Sequence, residues 1–290
     1  MMRITRAGLR ATVQDRGRSG GARAGIPPSG PADPVAFAAA LRLVGCADDD
    51  AAIEIVGLPF AFRCDERRII AATGRDVRLR TRSWVPGWTS VLSRPGDEVV
   101  VEGSARTRYA YVAVSGGVAL APVLGSRATY LLAALGPIPR PLVAGDELPL
   151  GSSAIGMEDA GRRVSPPEYR RAVRAVAGPH QDRFPAGTLE RFFDTQFTVL
   201  PESDRMGVRL GGGTIAPASR ELLSCGIVAG AVQVPAGGAP IVLLADHQTT
   251  GGYPIIATVI AADLGAVAQA APGEALRFER VTAEAPERST

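Results

Sequence analysis

Lysine and asparagine are both missing from this sequence of 290 residues, so arginine supplies all 32 basic side chains. A Walker-type phosphate loop, a Schiff-base enzyme and a biotin carrier each depend on a lysine. All three are therefore excluded for these residues. Any phosphate or carboxylate must be held by arginine, by backbone N–H groups or by a metal.

Cysteine and histidine are also scarce, with three and two copies. Cys46, Cys64 and Cys225 are widely spaced and odd in number, which argues against a disulfide framework or zinc site. We predict that all three are buried small apolar residues. His180 and His247 belong to no legible Ser–His–Asp order. The sequence therefore predicts no metal site, and it predicts a non-catalytic His247.

Strong charge and long apolar runs are absent as well. The net charge is only +3, and no basic run is interleaved with aromatic residues, which argues against a nucleic-acid partner. No apolar run reaches the roughly 18 residues that a membrane helix needs. The N-terminal stretch "MMRITRAGLRATVQD" lacks the apolar core of a signal peptide. We therefore expect a soluble, cytoplasmic protein without a membrane partner.

Short β-rich segments separated by turns make up most of the chain, which contains 34 glycines and 23 prolines. Segments such as "RRIIAATG", "DEVVVEG", "PIVLLAD" and "YPIIATVI" have the length and composition of strands. Helix signals are few, and the best is "SGPADPVAFAAALRLVG". There Asp33 can cap the helix, Pro34 suits its first position and Gly45 its end. Shorter helices are predicted in 185–195 and after Asp263. The fold class predicted is mainly β with a few short helices.

A glycine followed by an acid precedes an alternating strand three times, in "SRPGDEVVVEG", "LVAGDELPLG" and "AAPGEALRFERV". Two of these segments, near residues 100 and 275, suggest two related barrels in tandem. The best linker is the polar segment 151–171, which contains two consecutive prolines. We therefore predict an N-terminal barrel domain of residues 1–160 and a C-terminal barrel domain of residues 161–290.

The first of three polar clusters spans residues 12–33. Gln14, Asp15 and Arg18 lie beside several glycines, which allow a backbone to approach a ligand closely. Arginine would suit a phosphate or carboxylate. The alternative is a solvated turn between the first strand and the first helix.

The second cluster, "PESDRMGVRLGG", contains Arg205 and Arg209 separated by apolar residues. Their spacing predicts that both arginines lie on one strand face. The alternative is a surface strand whose charges form salt bridges.

The third cluster, "LADHQTTGGYP", crowds polar groups between two strands that look buried. Thr249 to Gly252 could form a backbone nest that receives an anion. Asp246 could bind Mg²⁺ or act as a base, and Gln248 and Tyr253 could orient a small amide. The alternative is an elaborate hairpin.

These clusters carry a resemblance to a known family. The motifs "TVQDRGR", "GIPPSGPAD", "SDRMGVRL", "DHQTTGGYP" and "AQAAPGEALRF" occur in order and cover essentially the whole chain. They resemble the allophanate hydrolase subunit 2 family, which also includes the C subunit of 5-oxoprolinase and is called the biotin-dependent carboxyltransferase family. The resemblance implies two tandem cyclophilin-like β-barrels.

The resemblance also implies an activity and partners. The activity is ATP-linked hydrolysis of C–N bonds in small amides or lactams, performed in a hetero-complex with a subunit 1 homologue. In the 5-oxoprolinase system a third protein completes ring opening. ATP and Mg²⁺ are the implied cofactors, bound by this chain or through the partner. One alternative is the carboxyltransferase module of a biotin-dependent urea carboxylase, and another is a regulatory subunit that antagonises a kinase inhibitor.

Carried over to this sequence, the family motifs imply two sets of site residues and no metal ligand. The implied catalytic residues are Asp246, Gln248, Arg205 and Tyr253. The implied substrate- or phosphate-binding residues are Gln14, Asp15, Arg18, Ser29, Arg209, Gln233, Thr249, Thr250, Gly251 and Gly252.

Overall fold

The computed structural model describes residues 1–153, 156, 159–218 and 222–282. Two compact units divide the chain. The first comprises Met1–Gly20 and Pro28–Glu168, and the second comprises Gly21–Pro27 and Tyr169–Thr290. The predicted domains, 1–160 and 161–290, stay a prediction. Residues 154–155 and 157–158 of the predicted linker lie outside the described residues.

The first unit is built on two sheets. Their strands are β1 (Met2–Ala7), β2 (Arg10–Gln14), β3 (Ala52–Val56), β4 (Phe60–Cys64), β5 (Arg68–Gly74), β6 (Arg78–Arg80), β7 (Trp84–Pro86), β8 (Ser90–Ser93), β9 (Glu98–Glu102), β10 (Ala110–Val114) and β11 (Glu147–Leu148). The six-stranded sheet has the order β11-β1-β4-β9-β6-β7, and the five-stranded sheet has the order β2-β3-β10-β5-β8.

One apolar core lies between these two sheets. Ile4 and Phe62 from the first sheet and Ile53 and Val112 from the second belong to the same buried cluster. Alternate side chains of a strand point to the same face. The apolar alternation seen in β1 and β9 therefore places one face of each strand in this core.

The second unit contains a closed barrel and a short ribbon. Its strands are β12 (Ala172–Ala177), β13 (Phe197–Val199), β14 (Gly207–Gly211), β15 (Cys225–Gly226), β16 (Ala231–Gln233), β17 (Ile241–Leu243), β18 (Thr250–Gly251), β19 (Ile255–Val259) and β20 (Ala275–Arg280). The barrel order is β12-β19-β16-β17-β14-β13-β20. Parallel pairing of β20 with β12, which sets Ala172 opposite Arg277, closes it. Strands β15 and β18 form a separate antiparallel pair, called here the β15–β18 ribbon.

The α-helices within the described residues are α1 (Pro34–Leu43), α2 (Thr188–Asp194) and α3 (Leu264–Ala268), all in predicted segments. The Asp33 side chain caps α1 by accepting a hydrogen bond of 3.1 Å from the Ala36 N–H. Short 3₁₀ turns span Ala22–Ala24, Leu131–Ala133, Gln181–Arg183 and Ala261–Asp263. The mainly β prediction is confirmed. Over the described ranges, no helix is both long enough and apolar enough to cross a membrane.

The three glycine–acid segments share one turn chemistry. In each, the carboxylate accepts a hydrogen bond from the N–H three residues earlier, at 3.0 Å for Asp97, 2.8 Å for Asp146 and 2.7 Å for Glu274. The preceding glycine has φ of 86°, 96° and 84° respectively, a region that glycine adopts without steric cost. Each turn leads into a strand, and the repeated pattern therefore has a local physical cause.

Candidate functional site

The first cluster brings two loops of the first unit into close backbone contact. The Arg18 N–H donates to the Pro28 carbonyl at 2.8 Å. Gly17 has φ of 86°, and a Cβ there would lie 2.5 Å from the same carbonyl oxygen. A Cβ at Gly30, with φ of 81°, would lie 3.1 Å from the Asp15 carbonyl oxygen. These glycines therefore let the two loops meet.

Asp15 holds this loop pair onto a third segment. Its carboxylate, 5% exposed, accepts hydrogen bonds from the Gly17 N–H at 2.8 Å and the Ser126 hydroxyl at 2.6 Å. The Arg127 N–H donates to its other oxygen. Three donors satisfy this buried carboxylate, so we interpret Asp15 as a residue that positions the surrounding loops.

Gln14 and Ser29 leave buried polar atoms available in the same cluster. The Gln14 amide, fully buried, donates to the Thr12 hydroxyl at 3.0 Å and to the Thr129 carbonyl at 3.1 Å. Among the described residues, Gln14 Oε1 accepts no hydrogen bond and the Ser29 hydroxyl has no hydrogen-bond partner. Ser29 also has φ of 57°, which is uncommon for a residue with a side chain. The Arg18 guanidinium donates to the Ala128 carbonyl.

Glu54 and Tyr111 are polar residues that the sequence reasoning missed. The Glu54 carboxylate, 2% exposed, accepts from the Tyr111 hydroxyl at 2.8 Å and from the Ala32 N–H at 2.9 Å. The Tyr111 oxygen accepts in turn from the Asp33 N–H at 2.8 Å. Burial, followed by the charge of Glu54, raises the pKa of Tyr111 well above its ordinary value, so its hydroxyl stays a donor. The signal was a lone acid in the apolar segment "AAIEIVG".

In the second unit, Arg205 and Asp246 form a buried, two-pronged ion pair. Arg205 Nε lies 2.7 Å from Asp246 Oδ2, and Arg205 Nη2 lies 3.0 Å from Oδ1. The two residues are 5% and 6% exposed, and the Asp246 N–H also donates to the Arg205 carbonyl at 2.9 Å. Because both carboxylate oxygens face the guanidinium, the geometry favours positioning over proton abstraction or metal binding by Asp246.

The prediction that Arg205 and Arg209 share one strand face is wrong. Strand β14 begins only at Gly207, and Arg209 is exposed while Arg205 is buried. The Asp204 side chain accepts from the N–H groups of Met206 at 2.8 Å and Gly207 at 3.2 Å. This local turn interrupts the alternation on which the prediction depended.

The third cluster is an extended ribbon and differs from the predicted backbone nest. Cys225 pairs with Gly251, Gly226 pairs with Thr250, and a further hydrogen bond of 3.1 Å joins the Ile227 N–H to the Thr249 carbonyl. A nest needs alternating right- and left-handed residues, whereas neither Gly251 nor Gly252 has positive φ. Thr250 and Tyr253 are exposed at its surface.

Gln233 is the buried polar group beneath this ribbon. It ends β16, is 1% exposed, and its Oε1 accepts from the Gln248 amide at 3.4 Å. Its Nε2 makes no hydrogen bond to any residue that the structure describes. A Cβ at Gly251 would lie only 2.6 Å from that nitrogen. The third cluster therefore presents a buried amide donor against a glycine.

The remaining histidine and cysteine predictions have mixed outcomes. The buried His247 ring places Nδ1 2.6 Å from the Gln248 carbonyl oxygen, a local contact that orients this loop. Its non-catalytic assignment stays a prediction. The three cysteines are free thiols. Cys64 is buried as predicted, but Cys46 and Cys225 are partly exposed. Cys46 lies just after the end of α1, and Cys225 lies in the two-residue strand β15, packed against a small apolar cluster.

Metal binding by this chain has little support from its donor set. Within the described ranges, no group of three or more His, Cys, Asp or Glu residues is arranged to hold a metal ion. Asp246, which its residue type suggested as an Mg²⁺ ligand or a base, is paired with Arg205.

Two β-rich units, the second containing a closed barrel, carry these loop clusters. The chain belongs to the family of the carboxyltransferase domain, subdomain A and B, whose model matches residues 24–280. It is 35% identical over 288 residues to the C subunit of 5-oxoprolinase from Escherichia coli (strain K12), covering 98% of this chain and 92% of that protein. It is 36% identical over 277 residues to the C subunit of 5-oxoprolinase from Haemophilus influenzae, covering 94% and 89%.

A solved structure shows the same fold in a much longer protein. The crystal structure of the Kluyveromyces lactis urea carboxylase matches with a TM-score of 0.86 and 27% sequence identity. The match covers 97% of this chain and 27% of that one, so the chain corresponds to about a quarter of the carboxylase.

Proposed function

We propose that this chain is one subunit of an ATP-dependent 5-oxoprolinase, which hydrolyses the C–N bond of a small lactam. The observation that carries the proposal is the identity of 35% and 36% to the C subunits of two 5-oxoprolinases. Each match extends over nearly the full length of this chain and of the related subunit, as expected for equivalent subunits. An enzyme with a C subunit has further subunits, and we propose a subunit 1 homologue and a separate ring-opening protein as partners.

The chemistry of the reaction defines what such a subunit must supply. A lactam carbonyl is a poor electrophile, and ATP supplies its activation in reactions of this kind. The protein must also orient the planar amide and place donors where charge develops on oxygen. The buried Gln233 amide suits that task, with Gln248, Thr249, Thr250, Gly252 and Tyr253 around it as candidates.

The residues of this chain fit ATP and Mg²⁺ poorly. Arg205, the buried arginine of the second cluster, is already paired with Asp246 of the third cluster. The glycines of the ribbon do not form an anion-binding nest, and the described residues hold no cluster of metal-binding side chains. We therefore propose that the partner subunit binds ATP and Mg²⁺ and that this chain binds the amide. Gln14, Arg18, Ser29 and Arg209 stay candidates for binding substrate or phosphate, as the family motifs imply.

The proposal is tested by co-purifying this chain with its subunit 1 partner and measuring ADP release. The ring-opening protein is added in a parallel series, and 5-oxoproline, allophanate, urea and buffer are compared. Stimulation by 5-oxoproline alone supports the proposal. Stimulation by allophanate or urea, or by none of the three in the complete mixture, overturns it.

A carboxyltransferase module is the second candidate function. The urea carboxylase structure favours it through its TM-score of 0.86. The urea amidolyase of Saccharomyces cerevisiae is also 29% identical to this chain over 95% of its length. A separate biotinylated carrier is then required, since this sequence has no lysine. Streptavidin capture of a biotinylated protein bound to this chain, with urea-dependent activity, would establish that function instead.

A further inference from the structure

The β15–β18 ribbon and Gln233 together define an amide-recognition site, a conclusion that rests on the proposed function and specifies its substrate contact. We propose that Gln233 Nε2 donates a hydrogen bond to the carbonyl oxygen of the bound lactam. Gln248 is the positioning residue that orients the Gln233 amide, and Cys225 lines the same site. The ligand class is a small planar amide that presents an oxygen acceptor.

The orientation of the Gln233 amide carries the first step. A glutamine amide has one acceptor oxygen and one donor nitrogen. Because Oε1 accepts from Gln248, the nitrogen is the group directed away from that contact. Gln233 is 1% exposed and its Nε2 has no partner within the described part of the chain, whereas buried donors are almost always satisfied. The natural partner of this nitrogen is therefore an oxygen of a ligand.

Gly251 carries the second step. Its backbone is extended within β18, outside the left-handed region, so conformation alone does not require glycine. Space does require it, because a Cβ would lie 2.6 Å from Gln233 Nε2 and 3.4 Å from the Ile227 side chain. Any larger residue at position 251 would cover the donor. The missing side chain therefore leaves the position beside the Gln233 nitrogen free of any side chain from residue 251.

Cys225 carries the third step, because it lies directly opposite Gly251 in the ribbon. Its Sγ is 3.8 Å from the Gly251 carbonyl oxygen, and the residue is partly exposed. Burial raises the pKa of Cys46 to about 11, with the charge of Asp50 adding to the effect, and burial raises that of Cys64 to about 12. Those two thiols therefore react slowly near neutral pH, so labelling reports on Cys225.

The first test uses kinetics of the complete complex. Gln233→Met keeps the shape and removes the donor, and it is expected to lower kcat/KM for 5-oxoproline about tenfold. Gln248→Met removes the orienting contact and is expected to lower it only about threefold. In Gln248→Glu the new carboxylate accepts a hydrogen bond from Gln233 Nε2 and draws the amide away from the ligand. The loss of kcat/KM in this variant should therefore match the loss in Gln233→Met. Gln196→Met, at an exposed glutamine, is the matched control and should leave kcat/KM unchanged.

The second test measures binding without turnover. Iodoacetamide labelling of Cys225 in the complex at pH 8 is followed by mass spectrometry. Saturating 5-oxoproline is expected to slow labelling at least fivefold, and L-proline, which lacks the ring carbonyl, is expected to leave the rate unchanged. Gln233→Met should abolish the protection while the variant still co-purifies with its partner.

The two hypotheses fail in different ways. If 5-oxoproline does not stimulate the wild-type complex with all partners present, the proposed function and this inference both fall. The inference alone falls if the wild type is active but Gln233→Met stays within twofold of it. Equal losses in Gln248→Met and Gln248→Glu would overturn the positioning role, and unchanged Cys225 labelling with 5-oxoproline would overturn its place in the site.

Discussion

The buried pair between Arg205 and Asp246 leads to a quantitative prediction about stability. Asp246→Leu removes the carboxylate that contacts two nitrogens of a guanidinium that is 5% exposed. Removing one partner of a buried ion pair destabilises a protein by about 3–5 kcal/mol. Replacing both partners with apolar residues is often nearly neutral, because no charge is left buried. We therefore expect the double variant Arg205→Met/Asp246→Leu to recover most of that loss.

The assay is urea unfolding followed by far-UV circular dichroism for the wild type, both single variants and the double variant. A coupling free energy of about 2–4 kcal/mol is expected from the cycle, since the two side chains contact each other directly. Arg209→Met is the matched control. It removes an exposed arginine of strand β14 and should change the unfolding free energy by less than about 0.5 kcal/mol.

Two results would refute this reasoning. One is a loss below about 1 kcal/mol for Asp246→Leu, because removing a carboxylate that pairs with a buried arginine should destabilise the fold by more than that. The other is a double variant whose loss equals the summed losses of the single variants. Either result would mean that the carboxylate is not committed to Arg205. Asp246 would then be available as the base or Mg²⁺ ligand that the sequence suggested.

Two further predictions concern the first unit. Gly17→Ala should lower the unfolding free energy by about 2–4 kcal/mol, because φ is 86° and the new Cβ would lie 2.5 Å from the Pro28 carbonyl oxygen. Gly20 has φ of 79° but open space around it, so Gly20→Ala should lower the unfolding free energy by only about 1 kcal/mol in the same assay. Equal losses for the two variants would contradict the packing argument. The hydrogen bond from Arg140 lowers the pKa of Asp146 below its ordinary value of 3.8. A carboxyl group whose pKa is lowered by folding stabilises the fold at pH values above its pKa in the unfolded chain. That stabilisation is lost as the pH falls through the pKa of the group in the folded protein. Unfolding midpoints measured from pH 5 to pH 2 should therefore fall less steeply for Asp146→Asn than for the wild type. Parallel curves for the two proteins would argue against a stabilising role of the ionised Asp146 carboxylate.

Local elements were predictable from sequence because their causes are local. Asp33 caps α1 and Pro34 begins it, each acting through contacts within a single turn. The glycine–acid turns before β9, β11 and β20 behave in the same way, since glycine conformation and one side-chain hydrogen bond define them. Strand identity in β5 and β19 followed from β-branched and apolar composition.

The wrong predictions concern contacts that the local sequence pattern does not reveal. Arg205 looked equivalent to Arg209 by spacing, yet Asp204 captures the following backbone N–H groups and delays the strand to Gly207. Cys225 looked like another buried thiol because its composition gives no hint of its strand partner. Its exposure depends on pairing with Gly251, 26 residues further along the chain.

By itself the sequence determined the mainly β class, the segments that contain the helices, the exclusion of lysine chemistry and the family resemblance carried by the motifs. Each of these depends on residue type or on contacts within a few positions. Only the tertiary structure decided that Arg205 is held by Asp246, that Glu54 and Tyr111 brace the loop before α1, and that Gln233 meets Gly251 beneath the ribbon. The physical reason is that hydrogen bonds and burial depend on partners brought together by long-range strand pairing, which periodicity along the chain does not encode.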